Sequence, residues 1–526
     1  MGTMTILQRL GHPMRYRSQQ FAFWQSAIIV LISFVSVVKA DPGDSNLTSP
    51  NLIVIMTDEH NFRTLGCYRE MMQERQAYMW GPAVVETPNI DWIADQGALC
   101  TSFYATTPVC SPSRGSLISG LYPQATPVVT NNIPLNDEVV TFAHLLGKAG
   151  YQTGYAGKWH LDGLGKPQWA PERKFGFQDN RFMFNRGHWK NLKIDDSGPK
   201  VGSLSKNKPS YAVGDADEKT FTTDFLMDRT LEFIDANKSV PFCYMLSLPD
   251  PHGPDTVRAP YNTMYDDQVY EKPTSFDVDD RAIPEWGEPA KKSGFGQSKY
   301  YGMVKCIDDN IGRLIKKLTD DGIIDNTMIV FTSDHGDLRG EHHRQNKGVP
   351  WEGSARIPFL VYYPSKIKPK TVVNRALTSV DFCPTLFSLL GKDVNVDFHG
   401  RDFSKLLTEA SADDGWEDVA FARGTGDMAG WLMAVSDRHK LVIATNDQPW
   451  LFDLERDPDE MVNMLGNSGY RDTARELAIK LKEYGVKYQD PRMDDPRIKA
   501  DLDWLMNGKG AYVAPKVSSQ GKKKKD

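Results

Sequence analysis

Paired cysteines, a surplus of charge, internal repeats and long apolar runs beyond residue 40 are all missing from this chain. Its six cysteines, Cys67, Cys100, Cys110, Cys243, Cys306 and Cys383, include no Cys-x-x-Cys pair. That spacing argues against a zinc or dithiol redox site. Setting Cys110 aside leaves an odd number, so they cannot all pair internally, and Cys243 and Cys306 lie in apolar segments that read as buried thiols. The net charge is -6 over 526 residues, which argues against nucleic acid as the main partner. The terminal run Lys522–Lys525 reads as a solvated tail. The one long apolar run, 21–38, follows Arg9, Arg15 and Arg17 and leads into Val38-Lys39-Ala40. This is the pattern of a signal peptide over 1–40 cleaved after Ala40, with an uncleaved anchor as the alternative. The chain is therefore expected to be exported, periplasmic or secreted, with no stable membrane insertion after cleavage.

What the chain does contain is a series of short apolar runs that lead into polar residues. The run 51–57 ends at Asp58 and Glu59, 152–157 at Lys158, and 328–332 just before Asp334 and His335. The run 242–246 leads to His252, and 359–363 is a further run. Helical patterns lie between them at 89–97, 141–148, 223–236 and 300–320. Alternating helices and nearly continuous apolar strands predict an α/β fold: a large, doubly wound, mostly parallel sheet flanked by helices. Ligands of such sheets sit beyond the carboxyl ends of the strands, so polar groups leaving four separate strands should converge on one edge. Polar stretches at 163–217 and 255–298 read as excursions over that edge. After residue 400, short runs at 420–423, 431–436, 441–445 and 450–454 read as antiparallel strands, and 472–484 as an amphipathic helix. The expected organisation is a signal peptide (1–40), a catalytic α/β domain (50–400), a smaller C-terminal α+β subdomain with an antiparallel sheet (401–495) and an extension with the basic tail (496–526).

The most informative segment is Cys110-Ser111-Pro112-Ser113-Arg114. It sets a cysteine beside a serine suited to a helix N-cap, a proline suited to the first helical position and an arginine one turn on. The sulfur then sits at the positive end of a helix, where anions bind and thiols acidify. On its own, Cys110 could be a buried structural thiol. A thiolate phosphatase would place cysteine and arginine six positions apart, and here they are four apart. Asp58 and Glu59, with Asp334 and His335 at another strand end, are either surface charges or a cation site. The segment 185–190, Asn-Arg-Gly-His-Trp-Lys, suits a sulfated sugar or an ordinary packed loop.

Cys110–Arg114, continued by Gly115-Ser116-Leu117-Ile118-Ser119-Gly120, resembles the maturation motif of the type I sulfatases, a family of the alkaline phosphatase-like superfamily. Ser119 stands where that family usually has threonine. Gly154-Tyr155-Ala156-Gly157-Lys158-Trp159-His160-Leu161 is similar to its second motif. Pro251-His252-Gly253-Pro254 and Ser333-Asp334-His335-Gly336 match two further segments, and the likeness spans about 50–465. The resemblance implies that Cys110 is oxidised to formylglycine by a formylglycine-generating enzyme and that the hydrated aldehyde is the nucleophile. It further implies that Arg114 orients this group, Lys158 and Lys347 bind sulfate, His160 bonds the formylglycine hydroxyl and His252 is the general acid. One divalent cation, Ca2+, is implied between Asp58, Glu59, Asp334, His335 and the group at Cys110; the His335 nitrogen also admits manganese. The family has an Asp-Asp pair where this chain has Asp58-Glu59, so ligation by Glu59 is a departure. His342 and His343 are expected to be structural. The implied function is a sulfuric ester hydrolase acting on a sulfated substrate, a carbohydrate by preference. The alternatives are a phosphonate or phosphate ester hydrolase of the superfamily and a catalytically silent glycan-binding protein.

Overall fold

A computed structural model describes residues 49–277, 283–287, 296–409, 415–426 and 430–515. The expected signal peptide, the Lys522–Lys525 tail and part of the 255–298 excursion lie outside the described residues. The described residues form one compact unit.

The chain first lays down β1 (Asn51–Asp58), β2 (Ala98–Tyr104), β3 (Gln152–Lys158) and β4 (Asp179–Phe184). Two small hairpins follow, β5 (Leu192–Asp195) with β6 (Gly198–Val201), and β7 (Leu204–Ser205) with β8 (Lys208–Pro209). The main sheet resumes with β9 (Phe242–Pro251), β10 (Thr327–Ser333), β11 (Arg356–Ile357), β12 (Phe359–Tyr362) and β13 (Thr371–Thr378). Its centre is β10, β1 and β9, all parallel, with β3 and β4 continuing parallel on one side. On the other side β12 runs antiparallel between β10 and β2, β11 pairs with the far end of β2, and β13 closes the edge parallel to β2. Pro358 separates β11 from β12 because it has no N–H to give the ladder.

Both faces of this sheet are covered, which is why its strands are apolar throughout. Along β1, Leu52, Val54 and Met56 point into one core and Ile53 and Ile55 into the other. The first core is closed by the helices Cys110–Ser119, Phe142–Lys148 and Phe382–Leu389, and the second by Pro88–Asp95, Thr222–Asn237 and Ser298–Asp320. The last of these buries Ile307, Ile311, Leu314 and Leu318 at helical spacing, each contributing about 2 kcal/mol. A second sheet, β14 (Ala420–Arg423), β15 (Trp431–Val435), β16 (His439–Ala444) and β17 (Trp450–Asp453), is antiparallel. One of its faces carries the helices Arg471–Lys487 and Pro496–Asn507, and the other packs on Tyr104, Ala355 and Ala376 of the main sheet region.

The expected α/β class and the C-terminal antiparallel sheet are both present. Three strands and one helix depart from the sequence reading. β2 and β13 carry polar residues and escape an apolar-run search. The stretch 163–217 is more than a surface excursion: it adds β4 to the sheet edge and buries Asn185 and Lys190. The expected extension begins with the helix Pro496–Asn507, whose N-cap Asp495 accepts the N–H groups of Arg497 and Ile498.

Candidate active site

Four parallel strands end at the same edge and release Asp58 (β1), Lys158 (β3), His252 (after β9) and Asp334 (after β10). The helix after β2 begins at Cys110 itself, with Val109 as its N-cap and no side-chain cap. Ser111 therefore does not cap the helix. Its hydroxyl donates to the carbonyl of His160 (2.7 Å), and its N–H donates to Asn131 Oδ1 (2.9 Å). Gly157, at φ 102°, precedes Lys158; a β-carbon there would collide with the Ser247 carbonyl, so only glycine lets β3 lie this close to β9. Glu59 (φ 63°) and His160 (φ 60°) hold left-handed backbone just beyond their strands, a strain that the packed surroundings maintain.

Arg114 organises the centre. Its Nε donates to Asp334 Oδ2 (2.9 Å), Nη2 to Asp58 Oδ2 (3.0 Å), and Nη1 to both the Lys158 carbonyl and Ser247 Oγ (2.7 Å each). Lys158 Nζ also donates to Asp58 Oδ2. With both Oδ2 atoms engaged, the Oδ1 atoms face His335, whose Nε2 lies 3.4 Å from Asp334 Oδ1, 3.8 Å from Asp58 Oδ1 and 3.2 Å from Cys110 Sγ. His335 Nδ1 donates to the Gly336 carbonyl (2.9 Å), which turns Nε2 inward. Ligand atoms of Asp58, Cys110, Asp334 and His335 all lie within 4.8 Å of one another. Two carboxylate oxygens and one imidazole nitrogen converging beside residue 110 fit a divalent cation.

Glu59, expected as a further ligand, turns the other way. Its Oε2 lies 3.0 Å from His252 Nε2 and its Oε1 3.1 Å from Lys347 Nζ. Lys347 Nζ is also 2.8 Å from His252 Nε2. His252 Nδ1 donates to the Gly253 carbonyl (2.8 Å), which leaves Nε2 facing Glu59 and Lys347. His160 is buried with neither ring nitrogen hydrogen-bonded. His342 and His343 sit in ring stacks, on Trp351 and Phe276.

The electrostatics follow from burial and neighbours. Burial works to raise Asp58, yet Lys158 and Arg114 hold it well below the usual carboxylate range. Burial and the charge of Asp58 raise Asp334. Burial would lower His335, but Asp334 beside it lifts it to about 9. Burial and Asp58 oppose ionisation of Cys110, and Lys158, Lys347 and His335 overcome them, holding its thiol well below the ordinary value. Burial would raise Glu59, but His252 and Lys347 keep it ionised. Burial lowers His160 to about 4. The pocket is thus rich in fixed positive charge and built for an anion.

The structure brings Asp58, Cys110, Arg114, Lys158, Asp334 and His335 into one contact network, with Glu59, His252 and Lys347 forming a second group in which Glu59 follows Asp58 directly. Sequence reasoning missed two members. Ser247 is an unremarkable strand serine whose role depends on Arg114. His188 had a signal, since it lies in the segment 185–190 flagged for its basic and aromatic content. Its ring stacks on His252 at 3.4 Å, and its Nε2 is 2.8 Å from Lys158 Nζ.

A family model described as Sulfatase matches residues 50–392, and the model for the C-terminal part of N-sulphoglucosamine sulphohydrolase matches 340–487. An ulvan-active sulfatase from Formosa agariphila is 29% identical, over 86% of this chain and 84% of its own. An N-acetylglucosamine-6-O-sulfatase from Bacteroides thetaiotaomicron is 26% identical, over 89% of this chain and 92% of its own. The solved structure of BT4656 in complex with its substrate D-glucosamine-2-N,6-O-disulfate shares the fold, with TM-score 0.67, 24% identity, and coverage of 85% of this chain and 99% of that one. The match runs from the first strand through the loop that carries Lys347, and on this basis the chain is a member of the sulfatase family of the alkaline phosphatase-like superfamily.

Proposed function

We propose that this protein removes sulfate from a sulfated carbohydrate by hydrolysing the sulfuric ester. One observation carries the reading: a residue-110 side chain at a helix start meets a carboxylate–imidazole donor set and two lysines at one sheet edge. The relatives named for ulvan and for N-acetylglucosamine-6-sulfate support a carbohydrate substrate. Formylglycine formed from Cys110 and a divalent cation, Ca2+ by family likeness, would supply a hydrated-aldehyde nucleophile and Lewis-acid polarisation. Asp58, Asp334 and His335 would hold the cation.

The chain's own residues would do the rest. Lys158 and Lys347 would neutralise the sulfate oxygens from fixed positions, so little reorganisation is needed as charge shifts. Arg114 orients Asp58 and Asp334 and so fixes the floor of the pocket. His160, buried and neutral, would accept a proton at position 110. His252 Nε2 would give a proton to the departing sugar oxygen, as a general acid must at an alcohol leaving group. Maturation requires a formylglycine-generating enzyme as a transient partner. Export through the 1–40 segment fits this reading, and among the described residues no helix is long and apolar enough to cross a membrane.

The test is sulfate release from a panel of defined sulfated saccharides, run beside 4-nitrophenyl sulfate, a phosphodiester and a phosphonate monoester. Peptide mass analysis should find an aldehyde at position 110 of active protein. Preference for the phosphonate, or full activity with an unmodified thiol, would overturn the proposal.

A further inference from the structure

The segment 185–190 is not a simple substrate loop. Three of its residues are committed to the fold. Asn185 is buried, and its Nδ2 donates to the carbonyls of Gly163 and Gly165. Trp189 is buried and donates from Nε1 to the Arg186 carbonyl (3.1 Å). Lys190 is fully buried, paired with Asp250, and donates to the main-chain carbonyl of His252 (3.0 Å). His188 is left to reach the site. Its side chain retains 18% exposure and that of His252 16%, so both rings are partly open to solvent beside the buried Asp58 and Lys158.

The two imidazoles are nearly coplanar in orientation, 8° apart, with centroids 3.4 Å apart. The far edge of His188 is anchored, because its Nε2 accepts from Lys158 Nζ (2.8 Å), and Tyr211 packs against its ring at 5.8 Å. One short segment therefore fixes the proton donor twice. Lys190 holds the main chain of His252, and His188 holds the plane of its ring.

We propose that His188 is a positioning residue for leaving-group protonation, holding His252 so that Nε2 faces the departing oxygen. This rests on the sulfatase reading above. The geometry explains why a second histidine stands here. A ring that lies flat on His252 limits its rotation, and the same ring accepts from a lysine at its far edge. A general acid only assists when its N–H points at the oxygen, and a ring free to rotate loses much of that assistance.

The consequence is a dependence on leaving group. Aryl sulfates with acidic phenols depart without a proton, whereas sugar alkoxides do not. Matured His188→Ala and His188→Phe variants should be compared with wild type on a series of aryl sulfates of rising phenol pKa and on one sulfated saccharide. His188→Ala should lose about 3-fold in kcat on 4-nitrophenyl sulfate and about 100-fold on the saccharide, a steeper slope against leaving-group pKa. His188→Phe keeps a flat ring against His252 without the acceptor nitrogen, and should recover most of the slope. An equal loss across the series would assign His188 to sulfate binding through Lys158 and overturn the proposal, as would no loss at all. A wild type that turns over none of the sulfates would instead defeat the sulfatase reading.

Discussion

Two buried clusters of charge in this protein look alike by composition and behave differently. The first is the sheet-edge cluster around Cys110 just described. The second lies where the C-terminal sheet meets the loops after β10, and joins Arg63, Glu341, Glu352, Lys440 and Glu460. There the hydrogen bonds close on one another. Lys440 Nζ donates to Glu352 Oε1 (2.6 Å), Glu460 Oε1 (2.8 Å) and the Pro350 carbonyl (2.9 Å), which accounts for all three of its protons. Glu460 Oε2 also accepts from the Glu352 N–H. At the sheet edge, His160 has two unpaired nitrogens, Glu59 Oε1 sits beside Lys347 without hydrogen-bond geometry, and the Oδ1 atoms of Asp58 and Asp334 converge beside His335. A cluster that satisfies itself holds the fold together. One that leaves polar atoms facing a common point keeps them for a ligand.

The contrast can be broken most forcefully at Cys110. Cys110→Ala should reduce turnover of 4-nitrophenyl sulfate by roughly 10⁴-fold or more while the thermal midpoint moves by only a few degrees. A large loss of stability would put this residue with the structural cluster. Next in size is Lys440→Met, which strands the buried Glu460 carboxylate and leaves Glu352 with Arg356 alone (3.2 Å), and should cost about 3–5 kcal/mol in urea unfolding. Lys158→Met should cost far less stability and far more activity, because Asp58 keeps Arg114 (3.0 Å). If the two lysines behave alike, the distinction between the clusters fails.

Chelation tests the sheet-edge cluster directly. Removing divalent ions should abolish turnover and lower the melting temperature. Restoring calcium at 100 times its dissociation constant should return about 2.7 kcal/mol. Unchanged melting across chelator and calcium would remove the cation from the site. The most gradual effect concerns pH and the structural cluster. Burial raises Glu341 to about 8, with Glu460 adding to it and Arg63 opposing. The folded chain then binds a proton that the unfolded chain has released, so this group's contribution to stability falls as pH rises from about 4.5 to about 8. Glu341→Gln should flatten that decline, on the order of 1 kcal/mol per pH unit, in denaturant midpoints measured across the range. A wild-type stability that rises over the same range would contradict it.

The sequence alone determined the class of fold, the strands that carry Asp58, Lys158, His252 and Asp334, and the antiparallel C-terminal sheet. Alternation of apolar runs with helical periodicity is a local property, and so is the spacing of a motif along one segment. It could not give β2, β4 or β13, since a strand that mixes polar with apolar residues is held by its neighbours in the sheet. It named Cys110, Arg114 and Lys347 but could not say which atoms face which. Only the tertiary structure decided that Ser111 bonds His160 instead of capping its helix, that Glu59 turns to His252 and Lys347, and that His188 lies flat on His252. Those outcomes depend on groups from segments tens to hundreds of residues apart meeting in a buried space, where unpaired charge is costly and each polar atom must find its partner in three dimensions.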